Sequence, residues 1–447
     1  MYTLFLFLMT GRFDNIHPEL TCQHARQILL QPINELDSQS DYYMAASHLI
    51  NCPGPETEKS LVDLLKCSQD DQAVKIAKRK AVEVLGRLGA TYLISNVGQC
   101  LWSDDQYLVE NTVFALQRLQ CSEPRLIQKM FHLLQEDNCN QRVLIQCLSS
   151  LSIHQIVPLL KGLQLAESPG VRGAAISAIA QLTGDTKQLS SIVNHLTLPN
   201  QMDRQCAIQD LIDAGALECL PPIVRAPVSP AFRLRACRLL ITSEVLDSES
   251  IHYLPLIDSL LVDDPDHIEI VHRYDVDPDV EFLIRDLFNT DFSRCYLALK
   301  SLRQCSGKLV WPLMLKIWED EACNDYGAHY FFMRLLGSRA DWPDDSLDFI
   351  LDILKSAAVN RRPQFQKSRS AAIYSISQLN PSLFLELIPS FLDQSCSPPW
   401  DCRYVLIMAI ESILKDESCQ QECQLRDLLA DDSDNFVRAR LTFKNGF

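Results

Sequence analysis

VEVLGRL, residues 82–88, returns along the chain at nearly constant spacing. VFALQRL (113–119), IQCLSSL (145–151), ISAIAQL (176–182) and IQDLIDA (208–214) begin 31, 32, 31 and 32 residues after their predecessors. Each copy sets apolar residues three and four apart, which is the spacing of one face of an α-helix. Related phrases stand at 237–243, 297–303, 332–338, 373–379 and 407–413. A fixed period marks supersecondary units that cannot bury their apolar face alone and stack to share one core. The fold expected is therefore all-α: an α-solenoid of helical-pair repeats with a period of about 31 residues.

The stretches between copies supply the other half of each repeat. Ahead of VFALQRL, Leu93, Val97 and Leu101 read as a first helix, and Ser103-Asp104-Asp105 then supplies a polar turn. Glu136-Asp137-Asn138, Ser168-Pro169-Gly170, Pro199-Asn200 and Ser229-Pro230 do the same in later repeats, with residues that cap helix N-termini or sit in a first turn. The rhythm breaks at DDPDHIEIVHRYDVDPD (263–279), which is acidic and proline-punctuated. The organisation expected is a tail over 1–12, repeats over 13–262, an irregular connection over 263–279, and repeats over 280–447. Met9 is an alternative start within the tail, and 361–363 reads as a short basic loop.

Composition narrows the function. A net charge of -16 argues against a general nucleic-acid binder, which needs an excess of Lys and Arg to displace counterions. The opening MYTLFLFLMT is too short an apolar run to span a membrane and lacks a basic leader, and no later stretch is long enough. The 17 cysteines form no CxxC pair and mostly fall singly in helical patterns, as Cys147, Cys206, Cys237 and Cys295 do. They read as unoxidised structural thiols in a cytoplasmic protein. The ten histidines show no metal-ligand spacing, so no metal is expected. Phosphate-binding glycine loops, GxSxG and HExxH are absent.

Three constellations carry chemistry. Counting three or four residues back from each phrase gives Arg79, Glu110, Arg142, Arg172, Arg204, Arg233, His329, Arg369 and Arg403, a ladder that is mostly arginine. In a solenoid such positions share one face. The ladder is either a strip for carboxylates, strongest at Arg172 and Arg204, or a set of pairs with acids of neighbouring repeats. Tyr107, Glu110 and Asn111 fall at i, i+3 and i+4 and form either a ligand-orienting patch or an inter-repeat network. Trp318 leads into Asn324-Asp325-Tyr326-Gly327-Ala328-His329-Tyr330. Read as a helix, this run pairs Asp325 with His329 and Tyr326 with Tyr330, and it is either a proton-transfer group around a flat conjugated ligand or an aromatic core helix.

The phrases YLVENTVFAL (107–116), GVRGAAISAIAQL (170–182), MDRQCAIQDLIDAGA (202–216), VSPAFRLRACRLL (228–240), TDFSRCYLAL (290–299) and NDYGAHYFFMRLLG (324–337) resemble the HEAT-repeat phycobilin lyases of the E/F type. The resemblance spans roughly residues 13 to 445 and leans toward the single-chain phycoerythrin lyases. It implies an enzyme, without cofactor, that attaches phycoerythrobilin as substrate to a cysteine of a phycoerythrin α subunit; some relatives also isomerise the bilin to phycourobilin. It implies Asp325 at the pyrrole nitrogens and Tyr326, His329 or Tyr330 in proton transfer. Arg142, Arg172, Arg204 and Arg233 fall to the bilin, three of them as propionate partners, and Tyr107, Glu110, Asn111 and Trp318 to its orientation. A His-Cys pair of isomerising relatives has no counterpart in Asp137-Asn138-Cys139-Asn140, which leaves isomerisation open. The competing expectation is a non-catalytic scaffold or chaperone for a phycobiliprotein subunit.

Overall fold

The computed structural model describes residues 17–443 apart from 18, 70, 137–138, 394, 396–397 and 415–419, and also leaves aside the side chains of 247–251 and 420–424. The expected tail over 1–12, and the turn residues Asp137 and Asn138, lie outside the described residues. Among the described residues every regular element is helical, as the all-α reading requires.

The recurring phrase marks the second helix of each pair. Its copies lie in Gln72–Leu88, Gln106–Arg118, Gln141–Ser150, Pro169–Thr183, Gln201–Asp213, Phe292–Leu302, Ala328–Gly337, Gln366–Leu379 and Trp400–Leu414, allowing for a residue at either end. The copy at 237–243 is only half helical. There the helix Pro230–Leu240 stops, and the Thr242 side chain accepts from the Val245 N–H to open Ser243–Val262. The expected N-terminal signals act as such: Asp105 accepts from the N–H groups of Tyr107 and Leu108, and Asn200 accepts from that of Met202. First helices are shorter and broken, as where Thr91–Leu93, Ile94–Gly98 and Gln99–Trp102 replace one continuous rod.

Contacts divide the chain into two compact units, residues 1–186 and 187–447. In the first, Gln72–Leu88, Gln106–Arg118, Gln141–Ser150 and Pro169–Thr183 stack in sequence. Val82 and Leu85 of the founding phrase are fully buried, each contributing about 1.5–3 kcal/mol. Gly86 faces the next second helix so closely that a Cβ there would lie 2.8 Å from the Ala115 Cα. In the second unit Ala328–Gly337, Gln366–Leu379 and Trp400–Leu414 stack likewise.

The segment 263–279 is irregular apart from the short turn Pro265–His267, but it falls inside the second unit and is no border. The fully buried Asp263 carboxylate is tied to Arg233, Tyr296 and Tyr330, and the Glu269 N–H donates to the Arg225 carbonyl at 2.9 Å. The cysteines also depart from expectation, since Cys22 and Cys52 are joined as a disulfide while the other described cysteines are not. Among the described residues no helix is long and apolar enough to cross a membrane.

Candidate functional site

Each arginine of the ladder takes part in a bond of the fold. Arg79 makes a two-pronged pair with Asp105, at 2.8 and 2.9 Å, and lies over the Tyr107 ring. Arg403 does the same with Asp432 at 2.6 and 2.8 Å. Arg142 donates to the Gly170 carbonyl and Arg172 to that of Ala166, each at 2.8 Å, and Arg369 donates to that of Ala358 at 3.0 Å. Arg204 and Arg233 are wholly buried, paired with Asp291 and Asp263. Both buried guanidinium groups are thus committed to carboxylate partners from other repeats, where an unpaired charge would cost several kcal/mol.

The polar trio of the first unit separates. Tyr107 is exposed and packs on Arg79, and Asn111 donates to the Arg79 carbonyl at 3.4 Å; both belong to the inter-repeat network. Glu110 instead lines a cavity of about 270 Å³ with Trp102, Asp104, Lys129, Glu136 and Cys139. Arg125 and Lys129 approach the face of Trp102 at 4.8 and 5.9 Å.

The second unit gathers most of the expected chemistry. Helix Gly307–Ile317 runs into a π-helical turn, Trp318–Ala322, a rare wide turn that is frequent at functional sites. The chain then turns through Asp325, whose Oδ1 accepts from the N–H groups of Gly327 and Ala328 at 2.9 and 2.7 Å. The helix therefore begins only at Ala328, and Asp325 and Tyr326 precede it instead of lying on it. What remains of the expected Asp325–His329 pairing is a backbone bond, the His329 N–H to the Asp325 carbonyl at 2.9 Å.

His329 is 3% exposed, with its ring between Trp318 and Phe365 at centroid distances of 5.1 and 4.6 Å. Burial, helped by the charges of Arg362 and Lys367 and opposed by Asp325, brings its pKa down to about 4, so the imidazole is neutral near pH 7. Its Nδ1 is buried and has no hydrogen-bond partner among the described residues. Tyr330 behaves differently. Its hydroxyl donates to Asp263 within the buried Arg233–Tyr296 network, and burial raises its pKa well above the phenol range. It is a core residue and no proton donor. Tyr326 is 64% exposed and keeps its phenol at the surface of the site.

Two cations went unrecognised in the sequence. Lys367 opens the next second helix, and its ammonium lies 5.0, 5.8 and 5.7 Å from the ring centroids of Phe292, Tyr326 and Tyr330. Burial, opposed by Cys295 and Asp325, lowers its pKa to about 8. Arg362 is exposed, lies over the Phe365 ring at 4.6 Å and donates to the Asn324 side-chain oxygen at 3.0 Å. The ladder gave no signal for Lys367, which stands two residues before Arg369 and so on a different face of the helix. Trp318, Asp325, Tyr326, His329, Arg362 and Lys367 thus offer flat apolar faces, a neutral base, a carboxylate, a phenol and two cations.

Fold and site together define a helical-pair solenoid in which one cluster sets flat aromatic faces beside cations, a carboxylate and groups that can exchange protons. The chain is 47% identical over 412 residues to the bilin biosynthesis protein CpeY of Synechococcus sp. (strain WH8020), covering 92% of this chain and 98% of that protein. It is 33% identical over 423 residues to the uncharacterised phycocyanin operon protein Y of Pseudanabaena tenuis (strain PCC 7409), covering 94% and 97%. Over 182 residues it is 28% identical to the phycocyanobilin lyase subunit alpha of Thermosynechococcus vestitus, covering 36% and 62%. No family model matches. The chain belongs to the HEAT-repeat phycobilin lyases of the E/F type.

Proposed function

We propose that the protein attaches phycoerythrobilin, through a thioether bond, to a cysteine of a phycoerythrin α subunit. The reading rests on identity across nearly the whole of a bilin biosynthesis protein, together with one feature of the site: the buried neutral His329, its Nδ1 unpartnered, between two aromatic rings and beside Lys367 and Asp325. The acceptor thiol loses its proton, its sulfur bonds to the ethylidene carbon of ring A, and a proton is delivered to the neighbouring ring carbon as the electrons shift. Addition thus balances as thiol plus alkene. His329 is the candidate base, and Tyr326 or the Lys367 ammonium the candidate acid. Asp325 accepts from pyrrole N–H groups, Arg362 and Lys367 attract propionates, and Trp318 stacks on the conjugated system.

Holding bilin and thiol together replaces a loose encounter by an oriented one. We place the reaction in the cytoplasm, whose reducing conditions suit a thiol-rich chain. Isomerisation to phycourobilin would use the same proton-moving groups, and the colour of the attached product decides whether it occurs. The discriminating experiment co-expresses this chain with a phycoerythrin α subunit and enzymes that make the bilin. Covalent, zinc-enhanced fluorescence on the α subunit supports attachment; an unmodified α subunit held in complex favours the scaffold.

A further inference from the structure

Cys22, His48 and Cys52 meet in the first unit, ahead of the first full repeat. One donor atom from each lies within 4.8 Å of the other two. Thr21 caps the helix Cys22–Ile28, which puts Cys22 at its first position. His48 ends the helix Asp41–His48, and Cys52 follows directly after the turn Leu49–Asn51. The two helices pack on each other, which brings Cys22 to that turn.

The disulfide accounts for the two sulfurs and leaves the imidazole unexplained. His48 is 6% exposed, and its Nδ1 is buried with no hydrogen-bond partner among the described residues. Such an orphan costs about 1–3 kcal/mol. A thiol-rich chain in a reducing compartment would hold the two cysteines as thiols, and the three donors would then face one another unbonded. Two thiolates and an imidazole are a donor set for a tetrahedral, thiophilic ion.

We propose that, in the dithiol form, Cys22, His48 and Cys52 bind one divalent cation of the Zn2+ class. A fourth position is left to solvent, or to the exposed His17, whose charge acts on His48. Reduction of the disulfide takes two electrons and two protons from a dithiol donor of the thioredoxin class. Binding then moves no electrons: the two thiols release two protons as two metal–sulfur bonds form. The ion clamps the start of Cys22–Ile28 to the end of Asp41–His48 in the place the disulfide occupies when oxidised. The site is independent of the bilin-attachment reading.

The test uses the full chain, reduced and stripped of metal, titrated with Zn2+ against a chromophoric chelator and with Co2+ as a spectroscopic probe. Wild type should take up one equivalent more than C22S/C52S, and its Co2+ form should show a thiolate-to-metal charge-transfer band that the double variant lacks. H48A should bind at least about tenfold more weakly. Melting curves of the metal-free variants check that they fold, and Zn2+ should raise the melting temperature of the reduced wild type, that of H48A less, and that of C22S/C52S not at all. Equal uptake by wild type and C22S/C52S, indifference to H48A, or equal uptake by the oxidised protein would each overturn the proposal.

Discussion

Replacing Lys367 by Met should stabilise the protein and damage its activity together. The ammonium is half-buried among Phe292, Tyr326 and Tyr330, and its pKa falls from the ordinary 10.5 to about 8. Below pH 8 the lysine is protonated in both folded and unfolded chains, and the fold bears the whole cost of the buried charge. Between about 8 and 10.5 the unfolded chain holds the proton and the folded one has released it, so stability rises with pH across that window. At about 1.36 kcal/mol per pH unit the cost at pH 7 is about 3 kcal/mol, a ceiling because solvent still reaches the side chain. Methionine matches the length without the charge. K367M should therefore gain roughly 1–3 kcal/mol at pH 7, measured by urea unfolding, and lose the stability rise between pH 8 and 10. Attachment of bilin to co-expressed α subunit should fall at least about tenfold, in the range of a lost acid or charge partner. K367R, which keeps a cation at all these pH values, should retain more activity than K367M. A K367M protein that is less stable and fully active would refute the reasoning, since it would make Lys367 an ordinary packing residue.

Tyr326 and Tyr330, four residues apart, should part company. Y326F should cut attachment without changing the unfolding midpoint, whereas Y330F should cost about 1–3 kcal/mol by stranding part of the buried Asp263 network and leave attachment by the folded fraction intact. His329 should appear in the acid limb of stability: with a folded pKa near 4 against an ordinary 6.5, the unfolded chain binds the extra proton between those values, and stability is lost as pH falls from 6.5 toward 4. H329F should flatten that limb by about 3 kcal/mol in urea midpoints taken across the range, and an unchanged slope would show that the imidazole is not buried neutral.

The fold was readable because its signal is local. VEVLGRL and its copies name the buried face of each second helix, and Asp105 and Asn200 announce where those helices start. The site was readable only in part. Nothing near Arg204 or Arg233 in the sequence says that their partners are Asp291 and Asp263, 87 and 30 residues away, and those tertiary pairs turned a supposed ligand strip into inter-repeat joints. The start of the site helix was misjudged because Asp325 satisfies the first helical N–H groups with its own carboxylate, a role that Gly327 two residues later permits. Lys367 escaped notice because its neighbours Phe292 and Tyr326 come from two other repeats. Cys22 escaped as a partner of His48 and Cys52 because only helix packing brings it there. His329 and Glu110 stand out in the sequence as the two ladder positions that are not arginine.

The central claim is that the cluster from Trp318 to Lys367 performs attachment. Its most direct test is the mass of the cysteine peptide from a phycoerythrin α subunit co-expressed with phycoerythrobilin-making enzymes and either wild type or D325N/Y326F. Asparagine can still accept the Gly327 and Ala328 N–H groups, so the double variant should fold. The account predicts a bilin-bearing peptide with wild type and an unmodified peptide with the variant. Equal modification by both would contradict it.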